Sequence, residues 1–217
     1  MLTIYGVARS RASRLIWLCH EIGLPFRQVP VIQAYRLADP LAPDAPPNTR
    51  SPEFLALSPQ GAIPVIDDDG LVLSESFAGT LHLARKYGGE IGGRDATEQA
   101  LILQWSLYAA TSVESDAQTI QMLNRPAADA DDRALIAEAI TRLARPFKVL
   151  DAHLARHGHL IGDRFTAGDL NMAEAVRYAQ AQSGVVEPWP ALYGWLTACQ
   201  ARPAFQTMWK ARLAEPA

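Results

Sequence analysis

The character of the chain changes once, at Gly88-Gly89-Glu90-Ile91-Gly92-Gly93, and that change limits the fold more than any other feature. Four glycines in six residues mark a linker. Before it, short β-rich runs alternate with helical segments; after it, only helical periodicity is found. The expected fold class is therefore α/β plus all-α. Residues 1–88 form the mixed domain, 89–94 the linker and 95–217 an all-helical domain. At 49% hydrophobic residues, cores of this size need no disulfides.

In the first half, Leu2-Thr3-Ile4-Tyr5 alternates apolar and polar residues and predicts a strand. Gly6 to Ser10 reads as a short loop. From about Arg11 the period becomes helical, with Leu15, Leu18, Cys19 and Ile22 on one stripe. Gly23 and Pro25 stop that helix, and Phe26 to Ile32 predicts a second strand. Residues 33–53 are proline-rich and aperiodic, a loop longer than compact domains commonly carry. It is either a functional wall or a surface insertion.

Residues 57–76, LSPQGAIPVIDDDGLVLSES, read as a β-hairpin leading into a helix. Ser58-Pro59-Gln60-Gly61 makes a turn. Pro64 stands at the mouth of the first strand, where its missing N–H leaves a ladder position empty. Asp67-Asp68-Asp69-Gly70 reverses the chain, and Ser74-Glu75-Ser76 converts strand to helix. Glu75 and Ser76 thus stand beside helix-start N–H groups that have no intrahelical partner. The helix runs from about Ser76 to Tyr87, with Phe77, Leu81 and Ala84 on one face. A right-handed βαβ unit joined to a ββα unit predicts a four-stranded mixed sheet, a thioredoxin-like arrangement.

Beyond the linker, Asp95 and Glu98 predict a capping box and a helix to about Met122, with Leu101, Trp105, Tyr108 and Ser112 close to one face. Asn124 to Asp132 reads as a loop. The next helix carries Ile136, Ile140, Leu143, Phe147, Leu150 and Leu154, with Pro146 inside it as a kink or a lost hydrogen bond. Thr166 and Asp169 form a second capping box, with Phe165 at the staple position. Two further helices follow, one from Trp189-Pro190 and one from Phe205 to Leu213.

Several function classes are excluded. A net charge of −3 and a pI of about 5.9 give no general attraction to nucleic acid or anionic membranes. No apolar run reaches the roughly 18 residues a membrane span needs. Residues 1–5 lack the marks of a signal peptide. Cys19 and Cys199 form neither a metal motif nor a CxxC pair, so a reducing, cytoplasmic compartment is expected. His153, His157 and His159 cluster near a helix end; they read as solvent-exposed rather than as a metal site.

The small mixed half, the linker and the helical half together resemble the cytosolic, bacterial-type glutathione S-transferase family. SPEFLALSPQGAIPVI followed by LVLSES resembles the family's glutathione-site hairpin, and GDRFTAGDLNMAEA its buried capping-box motif. The likeness covers nearly the whole chain. It implies a cis Pro64, with Ile63 offering its backbone to the cysteinyl part of glutathione. Glu75 and Ser76 would hold the γ-glutamyl carboxylate and amine. Ser10, four residues before Arg14, fits the spacing of serine-type members, in which the serine hydroxyl donates to the glutathione sulfur. Ser10 is equally a helix N-cap by residue type, and Ser13 and Arg11 are rivals for the thiolate. Tyr5 belongs to the strand rather than to the loop position of tyrosine-type members. No cysteine stands near Ser10, and Cys19 lies on the apolar stripe.

Many relatives carry glutamine or lysine where this chain has Ala62; Gln60, Gln33, Arg36 and Arg50 are the candidates to replace it. The resemblance further implies a homodimer in detoxification, with glutathione as co-substrate, no metal and a small hydrophobic electrophile. That electrophile would meet Tyr108 and Ser112 and loop residues near Val7 and Ala8. The alternatives are a glutathione-transferase-like binding protein with little catalysis, and a glutathione-dependent isomerase or dehalogenase.

Overall fold

The computed structural model describes residues 1–215; the last two residues of the expected helical domain lie outside this range. The chain divides into two compact units. The first is 1–88 together with the described part of 203–217, and the second is 89–202.

The first unit contains β1 (Leu2–Tyr5), α1 (Ala12–Ile22), β2 (Phe26–Val29), α2 (Pro52–Leu57), β3 (Val65–Asp68), β4 (Leu71–Ser74) and α3 (Ser76–Tyr87). The sheet order is β2-β1-β3-β4, with β1 parallel to β2 and antiparallel to β3, and β3 antiparallel to β4. Tyr5 pairs with Val65, and Val65 with Ser74. One edge row of the sheet is thus the last residue of β1, the first of β3 and the last of β4. Asp69 and Gly70 close the hairpin with φ of 53° and 93°, the left-handed pair that matches the twist of two-residue hairpins. β2 ends at Val29, short of the expected Ile32, because Ile32 leaves the sheet to bridge Asn48 in the long loop.

Ile4, Ile66, Leu15, Trp17, Leu18 and Leu83 are fully buried. α1 is buried nearly all round rather than on one stripe, since both α3 and α9 (Pro203–Ala214) pack on it. Phe205 meets Trp17 edge to face at 5.0 Å, and Met208 is fully buried. This contact places the final helix with the mixed unit, where the sequence pattern had grouped it with the helical half. The buried side of α3 is Gly79, Thr80, Leu83 and Ala84 rather than the Phe77–Leu81–Ala84 row; Phe77 instead lies under the Arg14 guanidinium at 3.9 Å.

The second unit holds α4 (Ala96–Tyr108), a π-helical turn Ala109–Val113, α5 (Glu114–Leu123), α6 (Ala130–His157), α7 (Ala167–Arg177) and α8 (Pro190–Gln200). The single helix expected from Asp95 to Met122 is therefore two helices joined by a π turn. Within α4, Leu101 is exposed while Ile102, Trp105 and Ser106 are buried. Asp95 accepts the Glu98 N–H, but Glu98 turns to the Arg94 N–H and to Arg164 instead of closing the box. α6 runs unbroken through the buried Pro146 and starts on an unforeseen Asp129–Asp132 capping box.

The Thr166–Asp169 box is present in full. Asp169, fully buried, accepts from the Thr166 N–H and hydroxyl, the Leu160 N–H and the Trp195 indole, all at 3.0 Å. One carboxylate thereby ties the start of α7 to α8. Of the three clustered histidines, His157 is exposed as expected, but His153 and His159 are only partly so. His153 packs on Trp105 at 4.8 Å and bonds the Leu160 carbonyl, and His159 lies 3.7 Å from Asp169. No helix is long and apolar enough to cross a membrane among the described residues.

Asp68, at the far end of β3, is only 3% exposed and fastens the hairpin to α3. It accepts from His82 and Tyr87 at 2.7 Å and from Lys86 at 2.8 Å. Burial pushes its carboxyl up, but the bonds from Lys86, His82 and Tyr87 outweigh that and hold it at about 2. A carboxyl depressed in the fold stabilises above its unfolded value and loses that contribution as the pH falls. Asp68 therefore contributes on the order of 2 kcal/mol above pH ~4, lost as the pH falls toward ~2. Urea denaturation should show Asp68→Asn less stable at neutral pH, with a smaller loss between pH 5 and 3 than the wild type. Parallel acid slopes would contradict this role.

Candidate active site

The edge row Tyr5–Val65–Ser74 decides which loops meet. Gly6–Arg11 leaves β1 there, Ile63–Pro64 enters β3 there, and Glu75–Ser76 leaves β4 there. Gly6 marks the closeness of the first two. Its φ is 142°, and a Cβ on it would stand 3.2 Å from Ala12 and 3.4 Å from Ile63. The Ile63–Pro64 bond is cis, and Ile63 is buried with Val7, Val31, Phe54 and Val65. The β3 ladder begins only at Val65, so the Ile63 backbone lies outside it.

Glu75 has φ 71° and ψ 110°, a conformation costly for a residue with a Cβ. Its side chain is exposed and caps no helix N–H. Such strain is found where surroundings impose it for use, and here it turns a carboxylate outward at the start of a twelve-residue helix. Ser76 beside it is buried, and its hydroxyl oxygen accepts from the Arg14 guanidinium at 2.5 Å. Arg14 is itself fully buried. With its oxygen taken up by that donor, the Ser76 hydroxyl keeps its proton to donate.

Ser10 is half-buried at the start of α1. Its hydroxyl donates to the Val7 carbonyl at 2.6 Å and accepts from the Ala12 N–H at 3.0 Å. The helix-capping role is therefore real, although the N-cap position itself is Arg11. Of the rivals, Ser13 is fully buried inside α1 and Arg11 is exposed. Tyr5 is half-buried in β1, and burial pushes the Cys19 thiol up to about 12, which leaves it an inert core residue. Among the described residues no group of three or more His, Cys, Asp or Glu side chains is placed to hold a metal ion.

The long loop is organised by a residue that its sequence did not single out. Asn48 is 1% exposed; its amide donates to the Pro40 and Pro46 carbonyls at 2.9 Å, and its oxygen accepts the Arg50 N–H. The only local signal was an asparagine among prolines, ordinary turn chemistry. Around this anchor, Gln33 and Arg36 both reach the Arg9 carbonyl, at 3.4 and 3.0 Å, beside Ser10. Gln60, Ala62 and Arg50 are exposed.

In the second unit Tyr108 is half-buried at the end of α4, and burial raises its phenol, so it stays a neutral donor at neutral pH. Ser112 is half-buried in the π turn, a helix defect that is frequent at functional sites.

Comparison with known proteins agrees with this geometry. Residues 9–86 match the glutathione S-transferase N-terminal domain model, and residues 100–203 match the C-terminal domain model. Glutathione S-transferase 3 of Zea mays is 35% identical over 216 residues, spanning 94% of this chain and 91% of the relative. Glutathione S-transferase 3 of Schizosaccharomyces pombe is 25% identical over 217 residues, spanning 94% and 85%. The theta-class glutathione S-transferase of Xanthomonas axonopodis pv. citri, solved with glutathione bound, superposes with a TM-score of 0.81 at 26% identity over 95% of each chain. The chain therefore belongs to the glutathione S-transferase family, enzymes with glutathione as co-substrate.

Asn48→Ala would leave two loop carbonyls and the Arg50 N–H without their partner. A loss of about 1–3 kcal/mol is expected in urea denaturation, with faster proteolysis between residues 36 and 50. A change within about 0.5 kcal/mol and an unchanged cleavage pattern would contradict the role of Asn48.

Proposed function

We propose that Ser10, Ile63, Glu75 and Ser76 form the glutathione site of this transferase, and that Ser10 stabilises the thiolate. The observation that carries this reading is the single sheet edge from which all four residues emerge, with the N-termini of α1 and α3 beside it. Both helix ends favour negative charge. Glutathione offers the matching groups: a γ-glutamyl carboxylate and amine for Ser76 and Glu75, a cysteinyl amide for the Ile63 backbone, and a thiol for Ser10.

A free thiol titrates near ~8.5, so only a few per cent is thiolate at neutral pH. The Ser10 hydroxyl can rotate from the neutral Val7 carbonyl to a charged sulfur, exchanging an ordinary hydrogen bond for a charge-assisted one. The Ala12 N–H keeps the oxygen in place meanwhile. The thiolate then attacks the electrophilic carbon; the carbon–sulfur bond forms as the leaving group departs with its electron pair, and the thiol proton has gone to solvent. Proximity supplies much of the gain. Ser10 does not act as a base, because an alkoxide is out of reach at neutral pH.

Gln33 and Arg36, already turned toward the Ser10 loop, are the best placed of the substitutes for Ala62. A small hydrophobic electrophile meeting Tyr108 and Ser112 fits their partial exposure and the small side chains of the π turn. Homodimerisation is supported by the exposed Leu101, Leu103 and Leu107 on α4. A cytoplasmic location is supported by Cys19 and Cys199, both buried and neither in a disulfide.

Ser10→Ala should lower kcat by about ten-fold or more, the worth of a charge-assisted hydrogen bond, with glutathione affinity nearly unchanged. Steady-state kinetics with glutathione and an activated aryl chloride would measure it, and an unchanged kcat removes Ser10 from the mechanism. Glu75→Ala should weaken glutathione binding by about 1.5–3 kcal/mol in calorimetric titration. Wild-type affinity in that variant would sink the assignment of Glu75.

A further inference from the structure

Beyond the four site residues, the loop that carries Ser10 is held by a side chain more than two hundred positions away. The Ala8 N–H donates to Glu215 Oε1 at 2.7 Å and the Arg9 N–H to Glu215 Oε2 at 2.8 Å. One carboxylate thus grips two consecutive amides, one per oxygen. Around it the remaining backbone groups of the same two residues are also occupied. Arg212 donates to the Ala8 carbonyl, and Arg36 to the Arg9 carbonyl. The Arg9 side chain returns a bond to the Arg212 carbonyl at 3.1 Å. Gln28 on β2 bridges the Gly6 carbonyl at 2.9 Å and Glu215 at 3.3 Å.

These contacts converge on the two residues just before Ser10, a stretch that belongs to neither β1 nor α1 and has no ladder or helix bonds of its own to define it. The clamp is seated firmly, because Phe205 and Met208 bury α9 against α1. We propose that Glu215 is a positioning residue for catalysis: its carboxylate fixes the Ala8–Arg9 backbone and thereby the placement of the Ser10 hydroxyl at the thiolate. Bonds to an ionised acceptor are the shorter and stronger kind, which suits a loop that must not drift while a hydroxyl changes partner. This inference rests on the reading of Ser10 as the thiolate donor.

The test is the pH dependence of kcat for the full chain with saturating glutathione and chlorodinitrobenzene as the electrophile. Four variants are compared: Glu215→Ala, Glu215→Gln, Ser10→Ala, and the double variant Ser10→Ala with Glu215→Ala. Glu215→Ala should lower kcat about ten-fold and move the acid limb up by about one pH unit, one pKa unit being a ten-fold change. Its glutathione affinity should stay within about two-fold of wild type, since the Glu215 carboxylate bonds the Ala8 and Arg9 amides and Gln28. Glu215→Gln keeps an acceptor without the charge and should fall between. In the Ser10→Ala background, Glu215→Ala should add no further shift.

Wild-type kcat and acid limb in both single Glu215 variants overturn the proposal, as does an undiminished effect in the Ser10→Ala background. Should Glu215→Ala fail to fold, Glu215→Gln carries the test, and an unshifted limb in it overturns the proposal. Ser10→Ala with a wild-type limb brings down the Ser10 reading and this inference together. A normal Ser10 effect with silent Glu215 variants brings down the inference alone.

Discussion

The antiparallel register of β1 against β3 is the constraint on which the rest depends. It places Tyr5 beside Val65 and, through β4, Ser74, so that three loops leave one edge of the sheet. A strand register cannot drift by one residue here without turning Ile4 and Ile66 out of the core. Hydrophobic burial thus sets the geometry of a polar site. The Asp68 network fastens β3 and α3 at one end, and the Arg14 bond to Ser76 fastens α1 and α3 at the other. Between these fixed points Glu75 is held in a conformation it would not adopt alone.

Two buried groups with unequal partners explain why this frame is rigid. Asp68 keeps its charge because three donors surround it. Arg14 is fully buried yet lies between the Ser76 hydroxyl and the Phe77 ring. Removing one partner from such a group leaves the other uncompensated, a larger loss than the interaction's own net worth. Ser10 differs. It is half-buried, and its donor bond goes to a neutral carbonyl that a charged acceptor can displace. The same helix start thus combines a fixed oxygen with a movable proton.

Much of this was legible in the sequence because the signals are local. Period-two and period-3.6 runs located β1, α1, β3, β4 and α3, Asp-Gly gave the hairpin, and Thr166 with Asp169 gave the start of α7. Ser10, Ile63, Glu75 and Ser76 were singled out through the family resemblance, and each stands at a junction between elements. What stayed hidden depends on distant partners. Glu98 satisfies every rule of a capping box, yet its carboxylate goes to Arg164, sixty-six positions on. The π turn at Ala109–Val113 carries no Gly or Pro to mark it. The place of α9 is set by Trp17 and Phe205, and a contact between the two ends of a chain has no period to betray it. Glu215 is invisible for the same reason, whereas Asn48, with its partners close in sequence, looked like ordinary turn chemistry.

The most direct test of the central claim is an ultraviolet difference spectrum of the wild-type protein titrated with glutathione across a range of pH. A thiolate band is expected that is already present at neutral pH and titrates below the ~8.5 of a free thiol. Saturable glutathione binding with a thiol that titrates as it does in free solution would contradict it, since the site would then hold the tripeptide without activating its sulfur.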